Sequence, residues 1–211
     1  MTERLDELGK RFARVATRAV VARPRAWRLF RGPLRSQFDR LAPRWEGRVG
    51  PEALIPLAAA LDRLSETPRR VLDLGTGTGK AARVVARRFP EAEVVGVDLA
   101  PAMIAQAKEL LPEEFGGRVR FQVADAASLP FEDGAFDLVV LLNMIPFFDE
   151  LARVTAPRGR LVFAYSFGAE TPIYVPPDTL RVRLAPLGFG DFEEVSAGEG
   201  TAFLAARSDH G

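Results

Sequence analysis

Val71-Leu72-Asp73-Leu74-Gly75-Thr76-Gly77-Thr78-Gly79-Lys80 decides how this chain folds. A β-branched and leucine run ends in an acid, three glycines alternate with threonines, and a helix-forming stretch, Ala81 to Phe89, follows at once. The order is strand, tight turn, helix, with the free N–H groups of the helix N-terminus aimed at whatever sits in the turn. Glycine suits this turn because the backbone takes open φ values and comes close to a ligand that Cβ atoms would exclude. The turn reads as a ligand cradle.

Three nucleotide-type cradles compete for it. A phosphate-binding P-loop needs Gly, four residues, then Gly-Lys-Ser/Thr. Counted back from Gly79-Lys80, the first glycine falls on Leu74 and the Ser/Thr on Ala81, so this cradle fails. A dinucleotide fingerprint needs Gly-x-Gly-x-x-Gly, and here the third glycine comes one residue early, as Gly75-x-Gly77-x-Gly79. Asp73 also stands two residues before the first glycine. A carboxylate aimed into the turn repels a pyrophosphate but suits a ligand with a cationic amino group and a sulfonium. The pattern therefore favours S-adenosylmethionine (SAM) over NAD, with Asp73, Gly75, Thr76, Gly77, Thr78 and Gly79 as binding candidates. A glycine-rich turn with no ligand is the bland alternative.

Glu93-Val94-Val95-Gly96-Val97-Asp98-Leu99 reads as a second strand ending in an acid. Asp98 lies about 20 residues past the glycine turn, where a doubly wound sheet places a carboxylate to accept ribose hydroxyls. Leu99 and Met103, at the start of the next helix, would cover an adenine face. A third strand, Val119 to Ala124, stops at Asp125 and Ala126. Asp125 would accept the exocyclic amine of adenine while a neighbouring N–H reaches a ring nitrogen; a helix cap or turn former is the equal alternative. Phe131 to Val140 then gives a turn and a fourth strand that ends near Asn143.

In these residues the chain resembles the class I SAM-dependent methyltransferases. The resemblance is carried by the glycine turn at 73–79, Asp98, Ala124-Asp125-Ala126, the Phe136-Asp137-Leu138-Val139 strand, and Leu151 to Val162, which looks like that family's helix, turn and fifth strand. It runs over roughly residues 50 to 207. It implies an α/β, doubly wound, Rossmann-like sheet of seven strands in the order 3-2-1-4-5-7-6, the last strand antiparallel, with SAM as cofactor. It says little about the methyl acceptor. The loop after the fourth strand departs from the family, since Asn143-Met144-Ile145-Pro146-Phe147-Phe148 is short and apolar.

At 211 residues the chain can bury one sizeable core and carry a leader. No apolar run reaches membrane-spanning length and Met1 to Lys10 is too charged for a signal peptide, so a soluble, cytoplasmic protein is expected. The lack of cysteine excludes disulfides, thiolate zinc sites and a cysteine nucleophile. No metal-ligand spacing occurs, and the lone histidine, His210, sits in a polar tail. Net charge is near zero but lopsided. Residues 1–50 hold 13 basic and 5 acidic groups, about +8, and residues 51–211 hold 16 and 23, about −7. A boundary near 47–51 divides a basic helical leader, 1–50, from a SAM-binding domain, 51–211.

In the leader, Leu5, Leu8, Phe12, Val15 and Ala19 recur at three and four, predicting a helix over 3–22 with one apolar stripe, Arg11, Arg14 and Arg18 opposite, and Pro24 as its end. Gly32-Pro33 closes a short segment, and a second helix is expected over Leu34 to Leu41. The stripe packs on the sheet domain or a second subunit, or residues 1–32 meet a membrane surface as a basic amphipathic segment. RNA binding through the leader is disfavoured because no stacking platform is evident. Gln37 to Glu46 is similar to the lead-in of the menaquinone and ubiquinone methyltransferases, which carry Phe-Asp-x-x-Ala-x-x-Tyr-Asp. Trp45 then stands where an aromatic closes over the cofactor, and Glu46 replaces the aspartate; an ordinary hydrophobic anchor is the equal alternative for Trp45.

Methyl transfer from a sulfonium is an in-line displacement, so alignment, water exclusion and at most a proton acceptor suffice. Candidate acceptor-side groups lie at the carboxyl ends of strands four and five: Asn143, Phe147, Tyr165 and Ser166. Asn143 and Tyr165 are the catalytic candidates, although a strand-end tyrosine more often packs than reacts. Pro176 to Leu187 predicts a helix, and Asp191 to Ser196 with Thr201 to Ala206 a closing hairpin. The acceptor, a small molecule that is apolar or membrane-associated, would be read by the leader, Ile145 to Phe148 and Phe167 to Val175. A catalytically silent SAM-binding protein, and an RNA or protein methyltransferase using the leader, are the alternatives. Oligomeric state is not legible.

Overall fold

The computed structural model describes residues 2–209, with side chains from residue 8 onward. Leu5 and His210 of the sequence reading therefore lie outside what can be placed in side-chain terms. Seven helices and seven strands organise the described chain. They are α1 (Thr2–Ala22), α2 (Trp27–Arg48), α3 (Ile55–Leu61), β1 (Arg70–Leu74), α4 (Lys80–Arg88), β2 (Glu93–Asp98), α5 (Pro101–Glu109) and β3 (Val119–Val123), followed by β4 (Phe136–Leu142), α6 (Phe148–Val154), β5 (Thr155–Tyr165), α7 (Pro177–Leu184), β6 (Phe189–Ala197) and β7 (Gly200–Arg207).

The strands form one sheet in the order β3-β2-β1-β4-β5-β7-β6. β1 pairs in parallel with β2 and β4, β2 with β3, and β4 with β5. β7 alone runs against its neighbours, antiparallel to both β5 and β6. The expected α/β architecture and strand order are thus present. The central strands read as near-continuous apolar runs because both sheet faces are covered: Val71, Leu72 and Leu74 of β1 and Leu138 to Val140 of β4 are fully buried. Register matters for the site. Asp73 lies opposite Gly96 and Val140, and Asp98 opposite Val123, so the acids gather at the carboxyl edge of the sheet.

One face of the sheet packs on α3, α4 and α5 through Leu57, Val85 and Ile104; the other packs on α6, α7 and the leader. Ala16, Val20, Trp27 and Leu34 of the leader are buried in that second core with Phe163 and Leu180. The leader therefore shares a core with the sheet.

Two leader expectations are corrected. The helix over 2–22 is present, but its sheet-facing side is Phe12, Ala16, Thr17 and Val20, whereas Leu8 and Val15 are 61% and 57% exposed. Spacing fixes a helix and a stripe, yet the side that docks is chosen by fit, and small residues such as Ala16 and Thr17 allow close approach. Residues 27–48 form one helix, not a segment broken at Gly32-Pro33. A proline inside a helix removes one hydrogen bond, but Pro33 is on the solvent side, where water satisfies the freed carbonyl. Trp27, Leu34 and Ala42, all buried, anchor both halves of α2.

Candidate functional site

The glycine turn lies between β1 and α4. Gly75, Gly77 and Gly79 have φ of 76°, 53° and 83°, the left-handed region that side chains resist. The backbone N–H groups of Gly75 and Thr76 donate to the Val97 carbonyl, 2.9 Å each, which ties the turn to β2. The glycines are not equivalent. A Cβ on Gly79 would sit 2.7 Å from the Phe121 ring, so that position is glycine for packing. A Cβ on Gly77 would meet the Trp45 indole nitrogen at 3.2 Å, so α2 covers the middle of the turn. Met144 covers Gly75 in the same way.

Asp73 is 1% exposed. Its Oδ2 accepts a 2.5 Å hydrogen bond from the Thr76 hydroxyl, while Oδ1 has no partner. Burial pushes its carboxyl up to about 6, an effect that the Thr76 hydroxyl and the nearby Ala82 N–H only partly offset. A buried carboxylate oxygen without a donor costs free energy unless something cationic or hydrogen-bonding completes it. The residues present therefore fit a ligand that brings an ammonium group to this bend.

Asp98 ends β2 and is held by its own neighbourhood. Gly77 N–H donates to Oδ2 at 2.9 Å and Ala100 N–H to Oδ1 at 2.8 Å. Enclosure by protein, only partly countered by these N–H groups, raises it to about 6, with Asp39 of α2 adding a like charge. Asp125, at the next strand end, is held by the leader: Trp27 Nε1–H donates to Oδ1 at 2.8 Å and the Arg31 guanidinium pairs with Oδ2 at 3.2 Å. Asp125 Oδ1 also accepts the Ala127 N–H, the turn-former role weighed from the sequence. Ala126 is buried beside it and Leu99 is half-buried.

α2 lies across this edge. Asp39 accepts the Ala102 N–H at 3.0 Å, and Ala42, Phe38, Leu41 and Trp45 enclose Met103. Burial alone would raise the Glu46 carboxyl, but the Thr78 hydroxyl, Lys80 and Arg83 outweigh it and hold the group below its ordinary value. Lys80 also donates to the Glu46 and Val49 carbonyls. These contacts clamp the C-terminal end of α2 to the turn and the first turn of α4.

On the acceptor side, Asn143 takes a left-handed φ of 51°, which asparagine tolerates better than most residues. Its Nδ2 donates to Ser166 Oγ at 2.7 Å and its Oδ1 accepts the Ser166 N–H at 2.9 Å. Tyr165, the neighbouring strand residue, points to the other face of the sheet. Its hydroxyl has no partner beside a cavity of about 40 Å³ lined by Tyr174, Leu180, Val195 and Phe203, and burial holds it well above the ordinary phenol range. The structure thus gathers Trp45, the glycine turn, Asp73, Asp98 and Asp125 on one edge but does not bring Tyr165 to Asn143. Ile145, Phe147 and Phe148 are buried in the core, with Phe147 edge-on to Trp27 at 5.1 Å. Sequence reasoning missed Trp27 and Arg31, because no local spacing links them to the strand tip they touch, and it covered Asp39 only within the lead-in, without a role.

Strand order, glycine turn and edge carboxylates are arranged as in the class I SAM-dependent methyltransferases, and residues 71–159 match the methyltransferase domain family. Within that class the similarity runs to menaquinone-type enzymes: the chain is 50% identical over 106 residues to the demethylmenaquinone methyltransferase of Thermus thermophilus, 47% of this chain and 48% of that one. It is also 40% identical over 152 residues to the malonyl-[acyl-carrier protein] O-methyltransferase of Halorhodospira halophila, 65% of this chain and 49% of that one. The matches thus span about half the length of these two curated relatives. A SAM-dependent methyltransferase from Aquifex aeolicus shares the fold, with a TM-score of 0.61 and 18% identity over 78% of this chain and 97% of that one. Among the described residues no helix is long and apolar enough to cross a membrane.

Proposed function

We propose that this chain transfers a methyl group from SAM to a small, apolar, membrane-associated acceptor. The observation that carries the donor half is the unpartnered Asp73 Oδ1, buried beside a bend whose three glycines all take positive φ. In this reading Asp73 takes the amino group of the donor, and Gly75, Thr76, Gly77, Thr78 and Gly79 supply the close backbone approach. Asp98 accepts the ribose hydroxyls, and Asp125 the adenine amine, with Ala126 N–H at a ring nitrogen. Leu99 and Met103 flank the base, and Trp45 and Asn143 stand toward the sulfonium. Bound SAM supplies a carbon already activated by positive charge; the chain's own groups bind, align and keep water out.

For the acceptor, the Thermus relative is named for demethylmenaquinone, and the residues around Asn143 suit such a molecule. Met144 is half-buried, and Phe167, next to Ser166, is 44% exposed. Residues 1–32 would bring the site to the membrane where that acceptor resides. Titration calorimetry should show one-to-one SAM binding and none of NAD, and labelled methyl groups should enter an apolar lipid extract. No SAM binding ends the reading. Tight binding with no transfer to any extract supports a catalytically silent SAM-binding protein instead.

A further inference from the structure

The leader has two faces, and only one is used by the fold. Ala16, Thr17 and Val20 of α1 are no more than 2% exposed and pack inward. Leu8, Arg11, Val15, Arg18 and Ala22 recur at i, i+3, i+7, i+10 and i+14, so they form one stripe on the far side of the helix, and every one of them is exposed. The turn into α2 continues the composition, with Arg25 and Arg28 exposed and Leu29 75% exposed. Large apolar side chains held in water between arginines cost hydrophobic free energy unless another phase takes them.

We propose that this outward face, Leu8 to Leu29, is a docking surface for an anionic lipid bilayer. The helix would lie in the interface plane, with Leu8, Val15 and Leu29 in the acyl boundary and Arg11, Arg18, Arg25 and Arg28 on headgroup phosphates. Charge selects the occupant. Residues 1–50 carry about +8, from 13 basic and 5 acidic groups, so a second copy of this face would meet its own charge. A nucleic-acid backbone would satisfy the arginines but leave the three apolar side chains in water. An anionic bilayer accepts both halves of the stripe. Because α2 of the same leader covers the glycine turn through Trp45 and Glu46, docking would set that edge close to the lipid. The surface deepens the membrane part of the functional reading and does not depend on the catalytic part.

Co-sedimentation of the full chain with vesicles separates the outcomes. Vesicles containing about a third phosphatidylglycerol should retain the protein, and pure phosphatidylcholine should retain it at least about tenfold less. Reversing Arg11 and Arg18 to Glu should weaken binding about thirtyfold or more, and Leu8→Ser with Val15→Ser should weaken it by about tenfold or more. All four side chains are exposed, so melting temperature and SAM affinity should stay at wild-type values, and a change in either reports misfolding instead. Alanine at the same four positions is the gentler check. Wild-type retention by both variants overturns the proposal. So does RNA binding that falls with the arginine changes but not with Leu8→Ser and Val15→Ser, accompanied by equal retention on neutral and anionic vesicles.

Discussion

Asp98 and Asp125 end neighbouring strands on one sheet edge, yet their oxygens are claimed from different distances along the chain. Asp98 is held by N–H groups of Gly77 and Ala100, both supplied by the strand–turn–helix units that the sheet itself builds. Asp125 is held by Trp27 and Arg31, which lie 98 and 94 residues away on the leader. In the proposed donor reading, the ribose side of the site would be organised by the fold, and the adenine side by a segment whose contacts would have to be exchanged when a base arrives. A ligand moves such an equilibrium only by its differential affinity for the two arrangements.

The largest effect should come from the fold-held acid. Asp98→Ala removes a carboxylate that would accept two ribose hydroxyls, charge-assisted hydrogen bonds of roughly 1.5–3 kcal/mol each. SAM affinity in calorimetry should drop about a hundredfold, while the Trp27 and Arg31 contacts with Asp125 stay in place. A change within about threefold would mean that Asp98 serves the turn alone, and the contrast between the two acids would lose its functional meaning.

Acidity sharpens the comparison next. Asp73 and Asp98 are both raised to about 6 from 3.8, chiefly by burial. The folded chain then holds these protons more tightly than the unfolded chain, so their contribution to stability is greatest below about pH 4 and is lost as pH rises through about 6. For fully buried Asp73 the loss is on the order of 3 kcal/mol. A donor ammonium reverses the preference, because it needs the ionised Asp73. SAM affinity should therefore fall by up to about tenfold per unit as pH drops below about 6, with protons released on binding. Calorimetry in two buffers of different ionisation heat reads that release. A pH-independent affinity across this range would separate Asp73 from the amino group.

The same contrast explains what the sequence could disclose. The glycine turn, Asp98 and the final hairpin follow from local signals, since alternating glycines, acid-ended apolar runs and the glycines of the 197–200 turn act on neighbours within one βα unit or hairpin, while the strand order comes only with the family resemblance those signals carry. Trp27 on Asp125 and Asp39 near Asp98 are long-range docking choices, decided by shape and burial, and no spacing encodes them. The apolar spacing of α1 predicted a helix but exposed the wrong stripe, because Leu8 and Val15 are larger than the Ala16–Thr17 side that can approach the sheet closely. Tyr165 illustrates the limit in the other direction. Its strand-end position was legible, but its side of the sheet was set by register, which carried it under α7 and away from Asn143.

The smallest effect should have the most informative sign. Trp27→Phe keeps a ring edge-on to Phe147, a contact now at 5.1 Å, but deletes the 2.8 Å indole hydrogen bond to Asp125. Loss of a hydrogen bond to a charged acceptor, with a modest packing defect, should lower stability by about 1–3 kcal/mol in a thermal or urea melt. If the indole and the adenine amine compete for one carboxylate, removing the indole should tighten SAM binding by roughly threefold to tenfold. Weaker binding would instead make Trp27 part of the wall against which the base rests. Unchanged binding would mean that Asp125 serves the leader and never meets the donor. Arg31→Met checks the first case independently, since only a competed carboxylate gains affinity when its second partner is removed.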